Sequence, residues 1–109
     1  MSTMMIPRLD GSELVCDLEK RTLSYFRYSV KFTNSEWIIL KELYEHKGEM
    51  VTRERLVELI WGGVKLDKHV TRAVDVHISG IRKKLAYIKG AKVDAIYGGG
   101  YKLVMLRRF

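Results

Sequence analysis

Apolar residues recur along this chain with two different periods, and the change of period divides it into stretches. Over the first third, apolar and polar positions alternate, weakly in Leu14-Val15-Cys16-Asp17-Leu18 and clearly in Ser29-Val30-Lys31-Phe32, with Thr22–Tyr25 between them. Strand side chains point to opposite faces in turn, so this alternation predicts short strands with one covered face. From Thr33 the period lengthens. Thr33-Asn34-Ser35-Glu36 matches a capping box, in which the threonine oxygen accepts from the third helical amide and the glutamate reaches back to the cap amide. Trp37, Leu40, Leu43 and Tyr44 follow at helical spacing, and Gly48 stands where that helix is expected to end. A second helix is predicted after Thr52, with Glu54 in its first turn. Its apolar stripe is Leu56, Leu59 and Ile60, and it stops at Trp61-Gly62-Gly63.

A third helix is predicted over residues 72–88, starting near Arg72. Val74, Ile78, Ile81 and Leu85 fall on one stripe, which is its buried face. The opposite side carries Arg72, Val76, Ser79, Gly80 and Lys83, flanked by Arg82 and Lys84. A glycine inside a helix costs about 1 kcal/mol relative to alanine. Gly80 lies away from the buried stripe, so core packing does not obviously require it; close approach to another surface and simple tolerance both remain open. The chain closes with Val93–Ile96, Tyr97-Gly98-Gly99-Gly100 and Tyr101–Val104, two strands around a glycine-rich turn. Residues 1–9 read as a disordered tail or a leftover linker, and 10–109 as one domain.

Composition adds limits to this order of elements. With 109 residues there is room for one domain, and a hydrophobic share of 47% is enough for a packed core. No apolar run approaches the ~20 residues of a membrane helix, and the N-terminus lacks the basic start of a signal peptide. The single cysteine, Cys16, permits no internal disulfide, fits a reducing cytoplasmic setting, and is expected to be a small core side chain. His46, His69 and His77 have no ligand spacing, so no metal or other cofactor is expected. Neither a phosphate-cradling glycine loop nor a nucleophile elbow nor a paired-carboxylate cluster is present, so no catalytic residue is assigned and an enzyme is not expected.

The net charge is +7, and its distribution says more than its size. Residues 1–50 carry seven Lys/Arg against eight Asp/Glu, whereas residues 51–109 carry thirteen against five. A basic excess confined to one half fits a polyanionic partner, without saying which. The third helix narrows the choice. One buried stripe opposite a face of small and cationic groups suits the B-DNA major groove, which is roughly 12 Å wide. Arg72, Arg82 and Lys83 can reach phosphates or guanine edges there, and Val76 a thymine methyl. A core helix with a solvated basic face would show the same periodicity.

The run Thr33…Glu36-Trp37…Leu40, then Thr52-Arg53-Glu54…Leu56…Trp61-Gly62, then Arg72…Val74-Asp75-Val76-His77-Ile78-Ser79…Arg82-Lys83-Lys84-Leu85, then Gly98…Gly100-Tyr101 resembles the effector domain of OmpR/PhoB-type response regulators, over about Leu14 to Leu103. That resemblance implies an α+β winged helix-turn-helix: a four-stranded N-terminal antiparallel sheet, three helices and a C-terminal β-hairpin wing. It implies a sequence-specific transcriptional regulator that binds double-stranded DNA on direct-repeat half-sites, usually as two copies head to tail. By position, Arg53, Trp61, Arg72 and Arg82 match phosphate-contacting places, and Val76, Ser79 and Gly80 match places that reach bases. Ala73, His77 and Lys83 lie on the same helix, and Tyr97, Gly98, Gly99 and Tyr101 form the wing. Gly63, Val64, Lys65, Leu66, Asp67, Lys68 and His69 fall in the loop that relatives show to RNA polymerase. A module used mainly for protein–protein contact is the alternative.

The departures are specific. Ser79 and Gly80 stand where many relatives place arginine, Ala73 replaces a usual threonine, and Tyr97 replaces the arginine before the wing glycines. Each lost bidentate arginine–guanine contact removes roughly 1–3 kcal/mol of discrimination, so a different or more relaxed base preference is expected. The resemblance also implies a receiver domain ahead of this one. These 109 residues have no space for it, so either an excised C-terminal half or a stand-alone relative is expected.

Overall fold

Alternation in the first third produces four antiparallel strands, β1 (Thr3–Pro7), β2 (Glu13–Asp17), β3 (Thr22–Tyr25) and β4 (Tyr28–Lys31), in the spatial order β1-β2-β3-β4. The computed structural model describes residues 3–7, 13–25, 28–62, 68–88 and 90–105. Within the tail expected over 1–9, Thr3–Pro7 form β1, which pairs with β2 from Thr3↔Asp17 to Pro7↔Glu13, and the rest of that tail lies outside the described residues. β1 is an edge strand, where a proline without an amide hydrogen is tolerated. Cys16 and Leu23, partners across β2 and β3, turn to the covered side and are 2% and 4% exposed.

α1 spans Asn34–Glu45, and its capping box forms as the sequence predicts: the Glu36 amide donates to Thr33 Oγ1 at 3.2 Å, and the Thr33 amide donates to Glu36 Oε1 at 2.9 Å. The helix ends earlier than Gly48, with His46 as its C-cap. Gly48 sits in the following turn at φ +85°, a region that favours glycine, and its amide donates to the Leu103 carbonyl at 2.8 Å. β5 (Val51–Thr52) comes next and leads directly into α2 (Arg53–Trp61), whose N-cap is Thr52. Thr52 Oγ1 accepts from the Arg55 amide at 3.1 Å.

α3 is longer than expected, 21 residues over Lys68–Ile88. The predicted start near Arg72 is therefore corrected by one turn. Lys68 and His69, assigned by the resemblance to the polymerase-facing loop, belong to the helix, while residues 63–67 of that loop lie outside the described residues. Val74, Ile78 and Ile81 are wholly buried, Leu85 and Ile88 nearly so. Each such side chain contributes about 1.5–3 kcal/mol of transfer free energy, so the buried stripe is what holds α3 in the molecule.

The wing consists of β6 (Ala91–Ile96) and β7 (Gly100–Met105), paired from Ala91↔Met105 to Ile96↔Gly100. It is more than a hairpin, because β5 pairs with β7 at Val51↔Tyr101 and Thr52↔Gly100, giving a three-stranded sheet in the order β5-β7-β6. Gly98 and Gly99 make the turn at φ +105° and +124°. The core lies where both sheets meet the helices, with Phe32, Ile39, Leu43, Leu56, Val93 and Leu103 among its buried members.

Candidate nucleic-acid interface

The side of α3 away from the core is open. Arg72, Val76, Ser79, Arg82 and Lys83 are exposed, Val76 to 64%, while Ala73, His77 and Gly80 are half-buried. At the far end of the wing Tyr97 is fully exposed beside Gly98 and Gly99. Trp61, ending α2, is a half-buried core-edge ring whose centroid stands 6.2 Å from that of His77, tilted by 32°.

Two of the predicted phosphate-contacting arginines are already engaged within the protein. Arg53 Nε donates to Asp75 Oδ1 at 3.0 Å, and Arg53 Nη2 donates to the Tyr101 hydroxyl at 3.2 Å. That hydroxyl in turn donates to Asp75 Oδ1. The Arg53 guanidinium also lies over the Tyr101 ring, 4.8 Å from its centroid, and the Arg53 backbone amide donates to the Gly99 carbonyl. The hydrogen bond to Asp75 pushes the Arg53 pKa further up, so this guanidinium stays charged. Arg82 Nε donates to the Val93 carbonyl at 3.0 Å, with its guanidinium 5.6 Å from the Tyr101 ring centroid. Both arginines keep further N–H groups, so each can bridge a phosphate to the frame. Tyr101 itself is 4% exposed and so packs at the base of the wing instead of reaching a ligand: it is the post to which Arg53 and Arg82 are tied. By contrast, Arg72 and Lys83 make no hydrogen bond or ion pair among the described residues.

Gly80, too, is engaged within the protein. At this one position α3 faces the first turn of α1: a Cβ built at Gly80 would fall on Glu36 Oε2 and stand 3.3 Å from Glu36 Cδ. Glu36 is buried, 6% exposed, and is ion-paired with Lys84 through Oε1 as well as capping α1. Burial pushes the Glu36 carboxyl upward, but the hydrogen bond and charge of Lys84, with the Thr33 amide, outweigh it and hold the group below its ordinary value. A depressed folded-state value means stability that is fully present above the unfolded value, about 4.3, and lost as pH falls through the folded one. Glu36→Gln, which retains the capping geometry, is expected to flatten the decline of Tm below about pH 5. Identical acid limbs for the two proteins would refute this.

Asp75, Glu36 and Lys84 were not expected to matter in these ways. The Thr33–Glu36 spacing exposed half of the Glu36 arrangement, but nothing local links either residue to Lys84. Cys16 is a buried free thiol, as expected, and burial pushes its pKa up.

A helix-turn-helix whose last helix is open along one side and is followed by a braced β-hairpin defines a winged helix-turn-helix module. The chain belongs to the family described as "Transcriptional regulatory protein, C terminal", which matches residues 27–103, and this is the OmpR/PhoB-type domain of response regulators. It is 34% identical over 86 residues to the sensory transduction protein BceR of Bacillus subtilis, covering 78% of this chain and 36% of that protein. It is 30% identical over 93 residues to the cell cycle response regulator CtrA of Brucella anthropi, covering 84% and 39%. The chain thus spans a little over a third of the length of these relatives. Among solved structures it resembles the DNA-binding domain of CpxR from E. coli, with a TM-score of 0.71, 27% identity, and 94% and 97% of the two chains covered. It also resembles the Klebsiella pneumoniae RstA DNA-binding domain in complex with RstA box, with a TM-score of 0.69, 26% identity, and 92% and 96% covered. Among the described residues no helix is long and apolar enough to cross a membrane.

Proposed function

We propose that this chain binds double-stranded DNA sequence-specifically, as the cytoplasmic output module of a transcriptional regulator. α3 lies in the major groove, and the 97–99 tip lies on the backbone or in the minor groove. One observation carries the reading: α3 is wholly buried along Val74, Ile78 and Ile81 yet presents Arg72, Val76 and Lys83 outward, with the two cations making no hydrogen bond or ion pair among the described residues. Arg72 and Lys83 supply direct grip, and Arg53 and Arg82 supply grip through the frame they are tied to. Trp61 offers its indole N–H to a phosphate. Val76, with Ala73, His77 and Ser79 around it, reads base edges and methyls. Tyr97 stacks on a sugar, while Gly98 and Gly99 allow close backbone approach.

The resemblance to response-regulator domains supports two further partners, a second copy on direct-repeat half-sites and RNA polymerase through residues 63–69. Anisotropy titrations with duplex DNA at two salt concentrations test the central claim. Binding that weakens steeply with salt is expected, because each neutralised phosphate releases counterion. A flat signal at low salt would sink it. Selection of duplexes from a random pool then yields the operator and its half-site spacing.

A further inference from the structure

We propose that Glu36 is a positioning residue for base reading by α3, and that Gly80 is the seat that admits it; the inference rests on the DNA-binding reading above. The carboxylate is placed by three groups from two directions. The Thr33 amide holds it from α1, Lys84 holds it from α3, and the bare Cα of Gly80 leaves the space it fills. Lys84 Nζ also lies 5.5 Å from the centroid of the buried Phe32 ring, a second, weaker attraction toward the same place. The first turn of α1 is therefore clamped to the middle of α3, and the two walls form one cleft. Thr33, Asn34 and Ser35 stand on one side, and Val76, Ser79 and Lys83 on the other.

The clamp acts at the point on α3 where base contact is expected. Val76 and Ser79 lie within about one turn of Gly80, so a small rotation or lift of α3 there moves both against the base edges. Phosphate contacts made by long cations tolerate such a shift, whereas edge contacts by short side chains do not. Loosening the clamp thus costs discrimination more than it costs grip. The clamp also gives the glycine a reason: with alanine there, the Glu36 carboxylate must leave its place.

The test uses a duplex selected by the parent chain from a random pool and a scrambled duplex of equal length, both titrated at the same salt. Gly80→Ala is expected to lower the ratio of affinities for the two duplexes about tenfold, with scrambled-duplex binding and its salt slope nearly unchanged. Glu36→Ala lowers the ratio similarly. The double substitution is no worse than Glu36→Ala alone, because the displaced group is gone. Lys84→Met, which keeps the apolar stem, lowers the ratio several-fold. The opposite pattern is equally definite. A simply tolerated glycine would let Gly80→Ala raise Tm through helix propensity and leave the ratio intact, and the proposal would be wrong. It would also be wrong if Lys84→Met weakened both duplexes equally and reduced the salt slope, since Lys84 would then be a phosphate contact. Should Gly80→Ala fail to fold, the Glu36 and Lys84 variants decide alone. A parent chain that selects no duplex overturns the DNA-binding reading itself, a different result from any of these.

Discussion

Replacing Arg72 and Lys83 together by alanine is expected to weaken duplex binding at about 0.1 M salt by one to two orders of magnitude, and to reduce the salt slope by about two. These two cations make no hydrogen bond or ion pair among the described residues, so their loss removes grip without disturbing the fold. Arg53→Ala and Arg82→Ala would also lose affinity, but each breaks contacts to Tyr101 and the wing, so the loss mixes grip with stability. Comparing slopes separates the causes, because counterion release counts phosphates and is indifferent to Tm. An unchanged slope in the double variant, with α3 intact by circular dichroism, would remove both residues from the interface.

The largest effect on stability is expected at Gly100. A Cβ there would stand 2.6 Å from both the Val51 carbonyl oxygen and Met50 Cγ. The methionine can turn aside; the carbonyl belongs to the two-residue strand β5 and cannot move without opening the β5–β7 pairing. Thr52 of that strand caps α2, so the strain passes into the helix as well. Gly100→Ala should cost roughly 1–3 kcal/mol, which for a domain of this size lowers Tm by about 5–20 °C. Gly98→Ala meets no atom within 4 Å and bears only the strain of its positive φ, of order 1–2 kcal/mol. Thermal unfolding of the pair ranks the two effects, and a Gly100→Ala protein as stable as the parent would show that β5 yields.

The parts of this molecule that were legible in the sequence are those whose cause is local. Thr33 and Glu36 are three residues apart, so the cap can be read directly; Val74, Ile78, Ile81 and Leu85 announce their face by spacing. What could not be read depends on partners distant in the chain. β5 has two residues and exists because Tyr101 and Gly100 lie beside it. β1 exists because β2 offers it an edge. The group of Arg53, Asp75 and Tyr101 joins residues 22, 26 and 48 positions apart, and no periodicity relates them. The resemblance assigned Arg53 and Tyr101 to one neighbourhood. It could not say that one of them is buried and supports the other. Gly80 shows the reverse case: a residue classed with the readers by the resemblance faces the side chain of Glu36, over forty positions earlier.

The tie between Arg53, Asp75 and Tyr101 has a consequence for how fast the complex forms and decays. It fixes the root of the wing to α2 and α3 before any DNA arrives, so docking does not wait for those elements to find each other. Encounter is then governed by diffusion and by the basic field of residues 51–109, and it should quicken as ionic strength falls. Substitutions that leave this tie and that field intact should act on residence time, with arrival almost unaltered.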